Sequence, residues 1–423
     1  MKLFSLLLTT ILLQLSQLTK TAQMAYSEDQ TLVDFKGIFG KPQDPAQCSV
    51  SFVQRIIPAE YPFETHTVVS EDGYYLTLIR MQAKGTTMRN GKPVVFLMHG
   101  LGNGAENYYQ NGEEKALAFL LANAGFDVWL GNNRGSRFSR RHRTFSIYSK
   151  QFWNFSFDQL ARYDLPAFLQ YVNGVTGSRQ IRYIGHSQGN TQMFAALSDP
   201  VIRPLVVPYI KEFHSLASIV FLNKNKVPVF SLGSYFIKQV QELAYKLGVN
   251  YLNLAGCGFN QTELNYWNSL CRSTPAKCYK QAKMQNIHPS AIDNWARAGY
   301  RHVMSHSGTS AMSMIHFGQL AKAQSSDQNV FPKYDYGAQG NQKFYGRPAP
   351  PSYDLSLITE SVFLWAGTDD ALSTPAEIAV LQSELKNARV TTHWLQGWGH
   401  ETFCFAADNH VYYGQLIAQL RSN

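Results

Sequence analysis

Long hydrophobic runs are nearly missing from this 423-residue chain. The one apolar stretch of note, Leu3 to Leu15 after Lys2, falls short of the roughly 18 residues that a bilayer span needs. No later stretch reaches that length. Residues 1–25 therefore read as a cleaved signal peptide ahead of a soluble protein without a transmembrane segment. Cysteine is scarce at five residues, and no Cys-x-x-His spacing occurs, so neither a metal nor any other cofactor is implied. Internal repeats and low-complexity tracts are absent. The net charge of +9 includes Lys2 and Lys20, and Arg134, Arg137, Arg140, Arg141 and Arg143 form one basic run with His142 between them. No stacking aromatics or recognised module accompany it, which argues against nucleic acid. Structural or solvated arginines, or attraction to an anionic lipid surface, are the readings left. With 45% hydrophobic residues, the chain can bury one large core plus an insertion.

What is present is concentrated in five residues, Gly185-His186-Ser187-Gln188-Gly189. They match G-x-S-x-G, in which a serine stands on a strained turn between strand and helix. The flanks fit. Ile181 to Ile184 is a β-branched and aromatic run of strand type, and Asn190 to Leu197 carries a helical pattern that Pro200 ends. A serine hydroxyl at neutral pH needs a base, an acid to orient it and donors for the developing oxyanion. Val94 to Met98 is a second apolar strand, and it runs into His99-Gly100-Leu101-Gly102, a glycine-rich loop suited to such donors. The amides of Leu101 and Gln188 are the candidates, with His99 bracing the loop.

In this motif class the acid and then the histidine follow the serine. Three histidines lie late enough. His393 falls inside a strand, His410 in the final helix expected over Phe405 to Leu420, and His400 in the loop after Gly397-Trp398-Gly399. His400 is the candidate base. The acid is expected after the strand Ser361 to Trp365, where Asp369 and Asp370 stand side by side ahead of a helix start at Thr374-Pro375-Ala376-Glu377. Spacing does not separate the two aspartates.

Beyond these motifs, Tyr61-Pro62 through Glu71-Asp72-Gly73-Tyr74, Asp127 to Gly135, Phe152 to Asp158, Tyr163 to Ala167, and Ser307 to Ser310 with His316 to Gln319 follow one another in a familiar order. Together they make the chain resemble the acid lipases, the group of gastric and lysosomal lipases. The resemblance implies an α/β-hydrolase fold with an inserted cap, and it selects Asp370, five residues before Pro375, as the catalytic acid. Ser373-Thr374 departs from the family's usual Ala-Asp pair. The family's cap disulfide uses a cysteine that Cys257 matches, but its upstream partner is missing here, leaving Cys271 and Cys278 as substitutes. The odd cysteine count leaves at least one thiol free.

The strand and helix rhythm agrees with a mostly parallel sheet with helices on both faces. Strands are expected at 94–98, 127–131, 181–185, 217–222, 361–366 and 389–395, and helices at 112–124, 157–172 and 375–387. The rhythm lapses between about 224 and 346, so core segments at 26–223 and 347–423 would flank a cap at 224–346. Asn154 and Asn260 head glycosylation sequons. The expected activity is a serine lipase or esterase acting on neutral lipid esters, triacylglycerol or steryl, at a lipid-water interface, in a secreted or lysosomal protein. A carboxylesterase of small esters, or a lipid-binding protein that has lost catalysis, is the alternative.

Overall fold

A computed structural model describes residues 56–422 apart from 228–232, 253–260, 285–289, 291, 298–306 and 325–327. The expected signal peptide, Cys257 and Asn260 lie outside the described residues. Eight long strands form the central sheet: β1 Phe63–Val69, β2 Tyr74–Met81, β3 Val94–Met98, β4 Asp127–Asn132, β5 Ile181–His186, β6 Ile210–Leu216, β7 Ser361–Gly367 and β8 Arg389–Leu395. A ninth, the two-residue strand Arg141–His142, pairs with the start of β2. The order is β1-β2-β4-β3-β5-β6-β7-β8, parallel from β4 to β8 and antiparallel at the β1-β2 end. β3 and β5 are buried at every position, as strands covered on both faces must be.

Helices α1 Leu117–Asn123, α2 Leu165–Thr176 and α3 Gln188–Leu197 connect the first strands. Between β6 and β7 the chain builds α4 Ile237–Leu247, α5 Gln261–Ser273, α6 Pro275–Met284, α7 Ala311–Gln324 and α8 Gly337–Tyr345. α9 Pro375–Glu384 and α10 His410–Ser422 complete the chain. No described helix is long and apolar enough to cross a membrane.

Two expectations need correction. The strand expected at 217–222 lies earlier, at β6, and Ala217 ends it with a φ of 50°. The apolar run Ile219 to Leu222 is a buried loop whose backbone is satisfied by side chains. Ser373 and Thr191 donate to the carbonyls of Ser218 and Ile219, and Gln324 both donates to Val220 and accepts from Leu222. β6 escaped notice because it carries Lys211, Glu212 and His214; Glu212 is buried 3.4 Å from both Arg182 and His214. The second correction concerns cysteine. Cys271 and Cys278 are joined to each other across the α5-α6 corner, so neither substitutes as a partner for Cys257, and Cys404 is a buried thiol outside that disulfide whose sulfur accepts from Asn107.

Candidate active site

Ser187 sits between β5 and α3 with φ 53° and ψ −118°, a conformation that an L-residue holds only under constraint. Two glycines make the turn possible. A Cβ on Gly185 would lie 2.5 Å from Asn190 Oδ1, and one on Gly189 would run into the Met98 carbonyl of β3. The elbow is thus pressed against the neighbouring strand, and its serine is lifted clear of it.

The three residues singled out from the sequence meet at this turn. His400 Nε2 lies 2.9 Å from Ser187 Oγ, and His400 Nδ1 lies 2.9 Å from Asp370 Oδ2. The other Asp370 oxygen accepts the amides of Leu372 and Ser373, each at 2.8 Å. Asp370 and His400 are buried, whereas Asp369 is exposed and its side chain accepts only from Thr368 among the described residues. The structure therefore separates the two aspartates that spacing could not. Burial works against charge on both members of the pair, but each overcomes it through the other. His400 is raised above the usual imidazole value by the Asp370 carboxylate, and Asp370 is held below the usual carboxylate range by His400 and the two amides.

The rival histidines are accounted for. His393 of β8 stacks on Trp365 of β7 with ring centroids 4.0 Å apart, and His410 is an exposed residue beside Asp408. His99 is buried and pushed down to about 4 by desolvation; its ring lies between the Gly100 carbonyl and the Asn133 amide, the bracing role expected of it. The loop it braces touches the serine, since a Cβ on Gly100 would lie 3.1 Å from Ser187 Cβ. Neither the Leu101 nor the Gln188 amide has an acceptor among the described residues.

The sequence did not reveal how heavily the site is braced. His186 Nε2 donates to the His400 carbonyl at 2.8 Å. Ser290 donates to the carbonyl of Gly397, and Thr402, whose Oγ1 accepts from Gly399 N, donates to Asp293. The amides of Ser307 and Gly308 both reach the Gly102 carbonyl, at 2.5 and 3.0 Å, and Ser307 Oγ accepts from Arg137 N. The residues between β6 and β7 therefore grip both the histidine loop and the loop beside Ser187. Thr374 and Glu377 form the expected capping box on α9, with burial pushing Glu377 up to about 8, and Ser373 ties the acid loop to Ser218. Those last contacts give the Ser373-Thr374 departure a structural use. Donor atoms of His186, His400 and Glu401 lie within 4.8 Å of one another, but a cation there would have to displace a hydrogen bond of His400. Asn154 is exposed at the head of its sequon.

A family model described as alpha/beta hydrolase fold matches residues 93–407, and a partial alpha/beta-hydrolase lipase region matches residues 52–112. Gastric triacylglycerol lipase of Rattus norvegicus is 32% identical over 400 residues, 91% of this chain and 95% of that protein. The chain belongs to the acid lipase family. Human gastric triacylglycerol lipase, at 32% identity, covers 88% of this chain and 91% of its own length. Human lysosomal acid lipase/cholesteryl ester hydrolase, also at 32%, covers 82% and 84%. This acid lipase relative is accordingly a hydrolase of α/β-hydrolase fold.

Proposed function

We propose that the chain is a serine lipase that hydrolyses carboxylic esters of apolar lipids, triacylglycerol or steryl esters, in the secretory pathway. Ser187 Oγ attacks the ester carbonyl while His400 Nε2 takes its proton, and Asp370 holds the imidazole in the productive tautomer. The amides of Leu101 and Gln188 receive the oxyanion. The tetrahedral intermediate collapses, His400 returns the proton to the departing alcohol, and an acyl group remains on Ser187. Water, deprotonated by His400, then releases the fatty acid and restores the serine.

One observation carries the reading: the unbroken hydrogen-bonded line from Asp370 through His400 to Ser187 on a strained elbow. The names of the gastric and lysosomal relatives support the substrate class. Residues 224–346 act as a cap over Ser187 in this reading, supported by the grip of Ser290, Asp293, Ser307 and Gly308 on the site loops. Burial of each acyl methylene is worth about 0.8 kcal/mol, so a covering apolar surface favours long chains over short ones.

The test is hydrolysis by the purified chain of long-chain triacylglycerol, cholesteryl ester and a short water-soluble ester, with Ser187→Ala as the blank. A kcat/KM favouring one of the two lipid esters is expected. Preference for the short ester would reduce the reading to a general carboxylesterase, and no turnover of any ester would leave a lipid-binding protein.

A further inference from the structure

The basic run that the sequence left open is divided by the fold. Its first half is buried and structural. Arg134 lies between Asp72 and Asp164, at 2.5 and 2.6 Å, Arg137 lies 3.8 Å from Glu106, and Arg140 donates to the carbonyls of Gly135 and Ser307. Its second half turns outward. Arg141–His142 lies antiparallel to Tyr74–Tyr75, beyond the point where β2 pairs with the last residue of β4. That is the C-terminal edge of the parallel strands, the edge from which the loops of Ser187, Asp370 and His400 also rise.

Large apolar side chains stand in the open there. Phe145 is 40% exposed and Tyr148 63%, with Arg141, Arg143 and Lys150 exposed around them. Arg141, His142, Phe145 and Tyr148 line one open depression of about 430 Å³. The same surface continues onto α4, because the Lys150 ammonium lies 4.9 Å from the Tyr245 ring. The inner face of α4, through Ile237, Val240 and Ala244, packs on Met312, Ile315 and Tyr334, and its outer residues Tyr245 and Leu247 are 46% and 67% exposed. Across 141–150 and 237–247 there are five cations and one carboxylate, Glu242.

Such a face is poorly matched to water and well matched to one environment. At a lipid surface, aromatic rings settle at headgroup level, aliphatic groups reach the acyl boundary, and anionic headgroups attract the surrounding cations. A nucleic acid would use the rings and cations but has nothing to offer the exposed Leu247. We propose that loop 141–150 and the outer face of α4 form the surface by which the chain docks on an anionic lipid surface, turning the Ser187 edge of the sheet toward it. The proposal rests on the reading of the chain as a lipid ester hydrolase.

The experiment is sedimentation of the full chain with phosphatidylcholine vesicles with and without phosphatidylglycerol, at low and high salt. A short-ester rate is measured on every variant as a report of fold. Binding is expected to need phosphatidylglycerol and to weaken with salt, as exposed charge interactions do. Arg143→Glu with Lys150→Glu should weaken it by about tenfold or more. Phe145→Ser with Tyr148→Ser should weaken it while leaving the salt dependence in place, and both pairs should keep the wild-type short-ester rate. Equal binding to both vesicle types, or binding indifferent to the charge reversals, would overturn the proposal. So would tighter binding of a single-stranded oligonucleotide that the same charge reversals abolish. Vesicle binding without any ester hydrolysis by the wild type would instead remove the lipase reading and leave the docking surface standing.

Discussion

The parallel sheet and the insertion between β6 and β7 are built by different means. In the sheet, strands buried on both faces share two large apolar cores, and each of Ser187, Asp370 and His400 stands within a few residues of a strand's end. Small displacements there meet close packing at once. Much of the insertion rests on less. α5 and α6 enclose a small cluster of Trp267, Cys271, Cys278 and Trp295, pinned by a disulfide, and α4 rests on another small cluster. α7 joins the main core through Phe317, Leu320 and Ala321, as do Phe331, Tyr353 and the residues flanking the insertion next to β6 and β7. The contrast teaches that the Ser187, Asp370 and His400 geometry is set by the frame, while the insertion reaches the loops of that site through polar contacts of Ser290, Asp293, Ser307 and Gly308.

If that division holds, changes in the frame cost most. Ser187→Ala should lower kcat by roughly a millionfold while thermal unfolding by circular dichroism stays near wild type. More than a few per cent residual rate, contamination excluded, would break the comparison at its root. Next comes Asp370→Asn, expected to cost about ten-thousandfold through a wrong His400 tautomer, against about twofold or less for the exposed Asp369→Asn. Reversed effects would move the acid to Asp369.

Ser307→Ala probes the seam between the two regions. It removes the acceptor of Arg137 N and loosens the segment that grips Gly102, so kcat on a short ester should fall by about tenfold at unchanged KM. An effect on KM alone would detach the insertion from the chemistry at the Gly100–Gly102 loop. The smallest expected effect is a titration. By NMR in the Ser187→Ala background, the His400 midpoint should lie above the ordinary value of about 6.5, and adding Asp370→Asn should drop it, because the main charge that offsets burial is then gone and only Glu401 and Glu377 still favour the charged ring. The sign of the stability linkage follows. The raised His400 stabilises the fold fully below its unfolded pKa and loses this as pH rises through the folded value. The lowered Asp370 stabilises it above the ordinary carboxylate pKa and loses this as pH falls through its folded value, so the pair supports the fold most strongly between the two limits.

Features set by local turn chemistry were legible in the sequence. The glycines around Ser187, the glycines around His400 and the Thr374 capping box each encode their own conformation, and the apolar runs of β3, β4, β5 and β7 encode burial. β6 was not legible, because its buried Glu212 and His214 make sense only beside Arg182 from another strand. The run Ile219 to Leu222 misled for the converse reason: side chains distant in sequence, Thr191 and Gln324, replace its sheet hydrogen bonds. Asp370 was distinguishable from Asp369 only through the family resemblance until its burial against His400 was in view. The grip of Ser307 and Gly308 on Gly102 spans some two hundred residues of chain and leaves no local signal.

The central claim is that Ser187 is the nucleophile, activated by His400. Its most direct test is labelling with a long-chain alkyl fluorophosphonate, which phosphonylates an activated serine, followed by peptide mass spectrometry. The account predicts one adduct, on the peptide carrying Ser187, and no labelling of Ser187→Ala or His400→Ala protein. An adduct on another residue, or undiminished labelling of Ser187→Ala, would contradict it.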